Sequence, residues 1–354
     1  MRLVGYGEFV ERYIQGKVMG HVTHSVRYRK GTAETAIAIE RHVLRDLRPG
    51  EVLVKVSAVG LNRADVLQRE GIYIPPDGET DVPGVEVAGE IVACASEAFA
   101  DRIGERVCGV VSGGGFSEYC ILEEAMVMCV PQAWTDVEAA AFPEAALTAN
   151  EALFGLAGLR EGDTVLLHAA SSGMGTMLLA MAKRMGVRTI CTTTSVEKKA
   201  TLLELGADVV IASKEPDFAA ATLALTDGMG VDAIVDFLAG RYANENISAV
   251  TRGGCVVVAG IMDGGQSNLN WIPLINRSVR ILPLTLRMKP APAKHDVTSR
   301  FLSLWWDGEG YRGLEPILGL TFSLSELDRA QARMKQNRHV GKIVIDCREG
   351  WTHD

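Results

Sequence analysis

The run Ser171-Ser172-Gly173-Met174-Gly175 follows a short apolar stretch, Thr164-Val165-Leu166-Leu167-His168-Ala169-Ala170, and precedes a helical pattern. Small residues and glycines between a strand and a helix let the backbone approach a pyrophosphate, and the first amides of the helix point at it. The chemistry implied is dinucleotide binding. Met177, Leu178, Met181 and Met185 recur with the spacing of a core-facing helix side. A second strand pattern, Arg188–Cys191, ends about 20 residues further on, where an adenosine ribose is recognised. An ordinary strand-to-helix turn is the alternative reading of the glycines taken alone.

At the tip of the second strand the chain reads Thr192-Thr193-Thr194-Ser195-Val196-Glu197-Lys198-Lys199. No acid stands at the tip itself to accept from a ribose 2′-hydroxyl. The hydroxyls of Thr194 and Ser195 and the ammonium of Lys198 can instead receive a 2′-phosphate. This pattern favours NADPH. Two alternatives stay open: Ser195 caps the next helix with Lys198 on its solvated face, or Glu197 turns to the ribose and reverses the preference.

The elements that position these residues are legible as two textures. Residues 22–150 read mainly as β: Glu51–Val59 alternates like a half-buried strand, and Val85–Cys94 and Arg106–Val111 are similar. From Pro143 onward, helical patterns alternate with the apolar runs Thr164–Leu167, Arg188–Cys191, Val209–Ile211, Ala233–Val235, Cys255–Ala259 and Val279–Leu282. Such alternation predicts a doubly wound parallel sheet in an α/β fold. After Thr285 the pattern is mixed and ends in a strand, Lys342–Asp346. Adjacent Trp305 and Trp306 on a helix would face different ways, one into the core and one to an interface.

Composition narrows the function. The 354 residues allow two domains, and the net charge of −8 argues against nucleic acid as a partner. No apolar run reaches the ~20 residues of a membrane span. The seven cysteines are widely spaced without a Cys-x-x-Cys, as expected of reduced, mostly buried thiols in a cytoplasmic chain. Residues 1–20 fit a transit peptide poorly because Glu8 and Glu11 accompany the basic residues. They read as an extension or a short added helix, so a cytoplasmic location is expected over a mitochondrial one.

From Val22 on, the chain resembles the zinc-free quinone oxidoreductase (zeta-crystallin-like) branch of the medium-chain dehydrogenase/reductase superfamily. Four segments carry the match: Val59-Gly60-Leu61-Asn62-Arg63-Ala64-Asp65 with Arg69-Glu70-Gly71-Ile72-Tyr73, then Phe142–Ala149, the glycine turn, and Asn337-Arg338-His339-Val340-Gly341-Lys342-Ile343-Val344. The resemblance implies a Rossmann domain over 148–286 and a chaperonin-10 (GroES)-like β domain over 21–147, completed by 287–354. It also implies a homodimer paired through a last strand at Arg277–Leu286.

Zinc-dependent members of that superfamily have Cys where this chain has Asn62, and Gly-His-Glu where it has Gly84-Val85-Glu86. Their third ligand aligns near Glu144. Val85 has no donor atom and Asn62 is a poor zinc ligand, so no metal is expected. The resemblance then implies hydride transfer from NADPH to a quinone or another electron-poor carbonyl compound. It places Asn62 near the nicotinamide as a donor to the acceptor oxygen, Tyr73 at the pocket mouth, and Thr148 beside the nicotinamide ring. Ser172, Gly173 and Met174 would hold the phosphates. Leu238 and Ile261 would flank the nucleotide, and Asn337 would reach back to it. Two departures stand out: Ser213, beside Lys214, replaces a tyrosine that steadies the 2′-phosphate end, and Leu67 replaces a tyrosine that faces the quinone. Asn62, Tyr73 and Thr148 also have plain structural readings, as a turn, a surface ring and a helix hydroxyl. A reductase of alkenals or enones, and a non-catalytic NADPH-binding protein, remain as alternatives to quinone reduction.

Overall fold

The computed structural model describes residues 18, 20–30, 35–76, 78–215 and 217–351. The extension expected over 1–20 lies almost wholly outside them. The chain divides into two compact units, one of residues 1–144 with 287–354, the other of residues 145–286.

In chain order the first unit contributes β1 (Val22–Lys30), β2 (Thr35–Val43), β3 (Glu51–Leu61), β4 (Glu86–Cys94), β5 (Arg106–Val110), β6 (Tyr119–Glu123) and β7 (Met128–Cys129). The second contributes β8 (Thr164–Leu167), β9 (Arg188–Thr193), β10 (Val209–Ala212), β11 (Val231–Asp236), β12 (Val250–Val258) and β13 (Arg280–Pro283). The chain then returns to the first unit with β14 (Leu318–Ser323) and β15 (Lys342–Asp346).

The first unit is built on β3. It pairs antiparallel with β4, β6 and β15, within the strand order β14-β15-β3-β4-β5-β7. The half-buried alternation expected for this strand is not what folds: Val52, Leu53, Val54, Val56, Ala58, Val59 and Leu61 are all buried. A central strand has neighbours on both edges and cover on both faces, so its lysine and serine are the exceptions in a nearly continuous apolar run. The register with β4 shifts between Leu53 and Val54 and again between Val56 and Ala58. The helix Ala291–Trp305 belongs to this unit, where the sequence showed only a mixed pattern. Trp305 is buried at its end. Trp306 is already past the helix, half-buried, with its ring centroid 4.9 Å from that of Tyr311. Phe142, Phe301, Tyr311 and Trp134 complete this aromatic core.

The second unit is a six-stranded sheet in the order β10-β9-β8-β11-β12-β13, every pair parallel. This 3-2-1-4-5-6 sequence is the doubly wound order. Leu166, Ile190, Ile234 and Val256 from four strands bury against Phe218, Tyr242 and Ile247 from the helices. The apolar stretch Arg277–Leu286 is not one strand. Arg277 ends the helix Trp271–Arg277, Ser278 turns in the left-handed region with φ 53°, and only Arg280–Pro283 pairs with β12. No helix among the described residues is long and apolar enough to cross a membrane. All seven cysteines are free, and all but Cys129 are buried.

Candidate active site

In the second unit, the turn after β8 delivers the helix Gly173–Arg184 with Ser172 as its N-cap. Ser172 Oγ accepts from the Gly175 amide at 3.0 Å, and its carbonyl accepts from Thr176. That leaves the amides of Gly173 and Met174 facing out of the helix end, where an anion is favoured. Gly175 is required by close approach: a Cβ there would lie 2.5 Å from Ala169 O and from Ala170 C.

Lys198 lies on the following helix, Glu197–Glu204, yet its Nζ donates to Ser171 Oγ at 3.2 Å. It is half-buried, and burial pulls its pKa below the usual lysine range. This bond holds a cation against the turn that precedes the helix Gly173–Arg184. Ser195 does not cap the helix: Val196 is the N-cap, and Ser195 Oγ donates to Glu197 Oε2 at 2.5 Å. That bond holds the Glu197 carboxyl below the usual range. Thr194 is exposed. Ser213 is turned onto its own loop, donating to Asp217 Oδ1 at 2.7 Å and accepting from the Glu215 amide.

Behind this end of the sheet runs a buried network. Asp236, at the tip of β11, accepts from Leu238 N at 2.7 Å and Ala239 N at 3.1 Å, holding Ala239 at φ 55°. Its other oxygen accepts from Asn246 Nδ2 at 2.9 Å. Asn246 Oδ1 must then accept from His168 Nε2, at 2.8 Å, which fixes the imidazole tautomer and leaves Nδ1 to Thr192. Burial pulls the His168 pKa down, so the ring is neutral. His168 thus shapes the loop that carries half-buried Leu238; Ile261, after β12, is 51% exposed. Thr148 is buried on the helix Pro143–Asn150.

The first unit gathers a different set. Continuing the strand register places Lys342 opposite Asn62 and Glu86 opposite Gly60. Lys342 Nζ donates to Asn62 Oδ1 at 2.7 Å and to Glu86 Oε1. Asn62 Nδ2 donates to Glu86 Oε1 at 2.8 Å and to Gly60 O at 3.1 Å. Glu86 Oε2 accepts from the Glu144 amide at 2.9 Å. Lys342 is 6% exposed and Glu86 is fully buried. Gly60 makes room for this, since a Cβ there would lie 2.3 Å from Glu86 Oε1. Asp65, also fully buried, accepts from the Asn62 and Gly84 amides at 2.8 and 2.9 Å. Burial pushes its pKa up to about 6, against the pull of those amides and of Lys342.

This donor set does not fit zinc. Val85 offers no ligand atom, Asn62 and Glu86 are taken by an ammonium, and a lysine cation among them opposes a dication. Among the described residues no group of three or more His, Cys, Asp or Glu side chains is gathered to hold a metal. The sequence reading missed Lys342; the one available signal was a charged residue opening the apolar strand Lys342–Asp346 near a matched Gly-Lys pair.

At the other end of the helix Arg63–Arg69, Tyr73 N donates to Leu67 O. The Arg287 guanidinium lies 5.3 Å from the centroid of the Tyr73 ring and donates to Ser112 O at 2.9 Å. Burial raises the Tyr73 pKa, and Arg287 opposes the rise. Asn337 sits at φ 54°, a conformation asparagine tolerates, and its Oδ1 accepts from Arg63.

Comparison with known proteins agrees with both units. The family profile of the alcohol dehydrogenase GroES-like domain matches residues 48–132, and that of zinc-binding dehydrogenases matches residues 173–301. The chain is 33% identical over 313 residues to a phenolphthiocerol/phthiocerol polyketide synthase polypeptide of Mycobacterium tuberculosis, covering 87% of this chain and 14% of that one. It therefore spans only about a seventh of the length of that relative. Among solved structures, the CurF ER (enoyl reductase) cyclopropanase of the curacin A biosynthetic pathway is 26% identical, with a TM-score of 0.77 over 92% of this chain and 99% of that one. Mycobacterial Rv1454c, solved in complex with NADPH, is 25% identical, with a TM-score of 0.77 over 92% and 100%. With a GroES-like profile followed by a dehydrogenase profile on one chain, and the folds to match, this protein belongs to the medium-chain dehydrogenase/reductase superfamily.

Proposed function

We propose that the chain is an NADPH-dependent reductase of carbon–carbon double bonds conjugated to a carbonyl, and that it works without a metal. The observation that carries this reading is the buried Lys342–Asn62–Glu86 group, in which Asn62 stands where zinc-dependent relatives have a cysteine. Such a site cannot form a zinc alkoxide, so alcohol oxidation is disfavoured, whereas an electron-poor acceptor needs no metal. Between acceptors, the likeness to a polyketide synthase and to an enoyl-reductase-type cyclopropanase favours conjugated alkenes. The quinone acceptor expected from the sequence has no comparable support.

When bound, the dihydronicotinamide supplies a hydride. The amides of Gly173 and Met174 and the Ser172 cap would hold the pyrophosphate, and Lys198 the 2′-phosphate. A tyrosine phenol carries its proton at neutral pH, and Tyr73 would pass it to the reduced acceptor. Asn62 is held by Lys342 and Glu86, with both amide protons already donated. A second copy would pair along β13, where Ile281 is exposed, as are Trp271, Ile272 and Ile275 of the preceding helix. Sedimentation of the purified chain reads that state.

Lys198→Ala is expected to weaken NADPH about 10- to 100-fold, the worth of one charge-assisted bond, and NADH less than twofold. Fluorescence titration with both cofactors checks this. Equal weakening would mean that Lys198 does not meet the 2′-phosphate. For the activity itself, NADPH consumption is followed with an α,β-unsaturated thioester, an alkenal, an ortho-quinone and a secondary alcohol under chelator. The reading expects turnover of the unsaturated carbonyls. Turnover of the quinone alone, or of nothing despite tight NADPH binding, would sink it.

A further inference from the structure

Counting protons in the buried cluster shows which group is free to act on a ligand. Asn62 has two amide protons, and both are donated, to Glu86 Oε1 and Gly60 O. Its orientation is forced, because Lys342 can only donate and so must face Oδ1. Lys342 has three protons. One goes to Asn62 Oδ1 and one to Glu86 Oε1, and among the described residues the third has no acceptor. The side chain is 7% exposed, so this is a nearly buried cationic donor with one N–H to spare.

We propose that Lys342, rather than Asn62, is the group that donates to the carbonyl oxygen of the acceptor and stabilises the negative charge that gathers there. This rests on the double-bond reductase reading. Hydride adds to the β-carbon with both bonding electrons, the alkene π pair moves to form the enolate, and the carbonyl oxygen takes the charge. The α-carbon then receives a proton, from Tyr73 or solvent, and the enolate collapses to the saturated carbonyl. Lys342 loses no proton in this sequence; it supplies a fixed positive charge in a dry site, where such a charge acts strongly on a developing oxyanion. Glu86 keeps the ammonium in place, and Asn62 Oδ1 aims it. The group that polarises the carbonyl is thus an ammonium.

Lys342→Met alone leaves Glu86 buried and unpaired, so the test uses Glu86→Gln/Lys342→Met, which restores charge balance. In this variant the Asn62 amide is released and can offer a neutral donor in place of the ammonium. Even so, kcat for the unsaturated thioester at saturating NADPH is expected to fall about 10²-fold, the low end of what loss of one oxyanion donor costs. KM for the thioester and the affinity for NADPH should stay within about threefold of the parent. A double variant whose kcat is within threefold of the parent would show that Lys342 only neutralises Glu86. A second measurement needs no variant: the carbonyl stretch of a 13C-labelled saturated product bound to the parent protein. A clear shift to lower frequency supports the donor, and an unshifted band overturns it. Failure of the function itself would show separately, as absence of turnover by the parent protein.

Discussion

Lys342→Met is expected to destabilise the protein by about 3–5 kcal/mol, read as the change in unfolding free energy in urea. Lys342 is 6% exposed and its partner Glu86 is fully buried, so removing one charge strands the other in a medium that solvates it poorly. Asn62 Oδ1 loses its donor at the same time. Adding Glu86→Gln should recover most of the loss. A glutamine oxygen can still accept from the Glu144 amide, and its NH2 can donate to Asn62 Oδ1 once that amide flips. Buried ion pairs replaced as a pair are often neutral in stability, whereas pairs broken singly are not. A loss under 1 kcal/mol for the single variant would mean that water reaches Glu86 and that the cluster is not dry.

Gly175→Val is expected to reduce nucleotide affinity more than 100-fold while leaving the first unit folded. A Cβ at this position lies 2.5 Å from three backbone atoms of Ala169 and Ala170, none of which can rotate aside. The helix Gly173–Arg184 must then lift from β8, carrying the amides of Gly173 and Met174 away from the phosphates. A displacement of about 1 Å in a positioning element costs about 10² in a well-oriented site, and the overpacking itself costs about 1–3 kcal/mol. Titration calorimetry with NADPH measures the first effect and thermal unfolding the second. Unchanged affinity would show that the helix end does not hold the cofactor.

The strand, turn and helix on which the nucleotide reading rests were legible because they are contiguous in sequence. Thr164–Leu167, the glycine turn and the helix after it are contiguous, and the structure has β8 over the same four residues. The same holds for β15 at Lys342–Asp346. Part of what failed depends on neighbours distant in sequence. Alternation in Glu51–Val59 suggested a half-exposed strand, but β3 is enclosed by pairing with strands from three parts of the chain. The apolar run at 277–286 hid a helix end, because Ser278 takes a left-handed turn usually left to glycine or asparagine. The alternative in which Ser195 caps the next helix does not hold, because its hydroxyl goes to Glu197 and Val196 is the N-cap. The cluster around Asn62 was half visible: Val85 argued against a metal there, but the sequence could not show that Lys342, 280 residues away, lies against that asparagine. The acceptor was the least legible of all. Asn62, Asp65 and Tyr73 lie in segments that resemble this superfamily, and a scaffold does not specify the carbon skeleton it reduces.

The most direct test of a metal-free double-bond reductase is the fate of the label from NADPH deuterated at C4 of the dihydronicotinamide. The chelator-treated protein is given an α,β-unsaturated thioester, and the product is analysed by mass and NMR. The account predicts a saturated thioester carrying deuterium at the β-carbon and a solvent proton at the α-carbon. Recovery of unreacted thioester alongside rapid reduction of an ortho-quinone, or product formed only when zinc is restored, would contradict it.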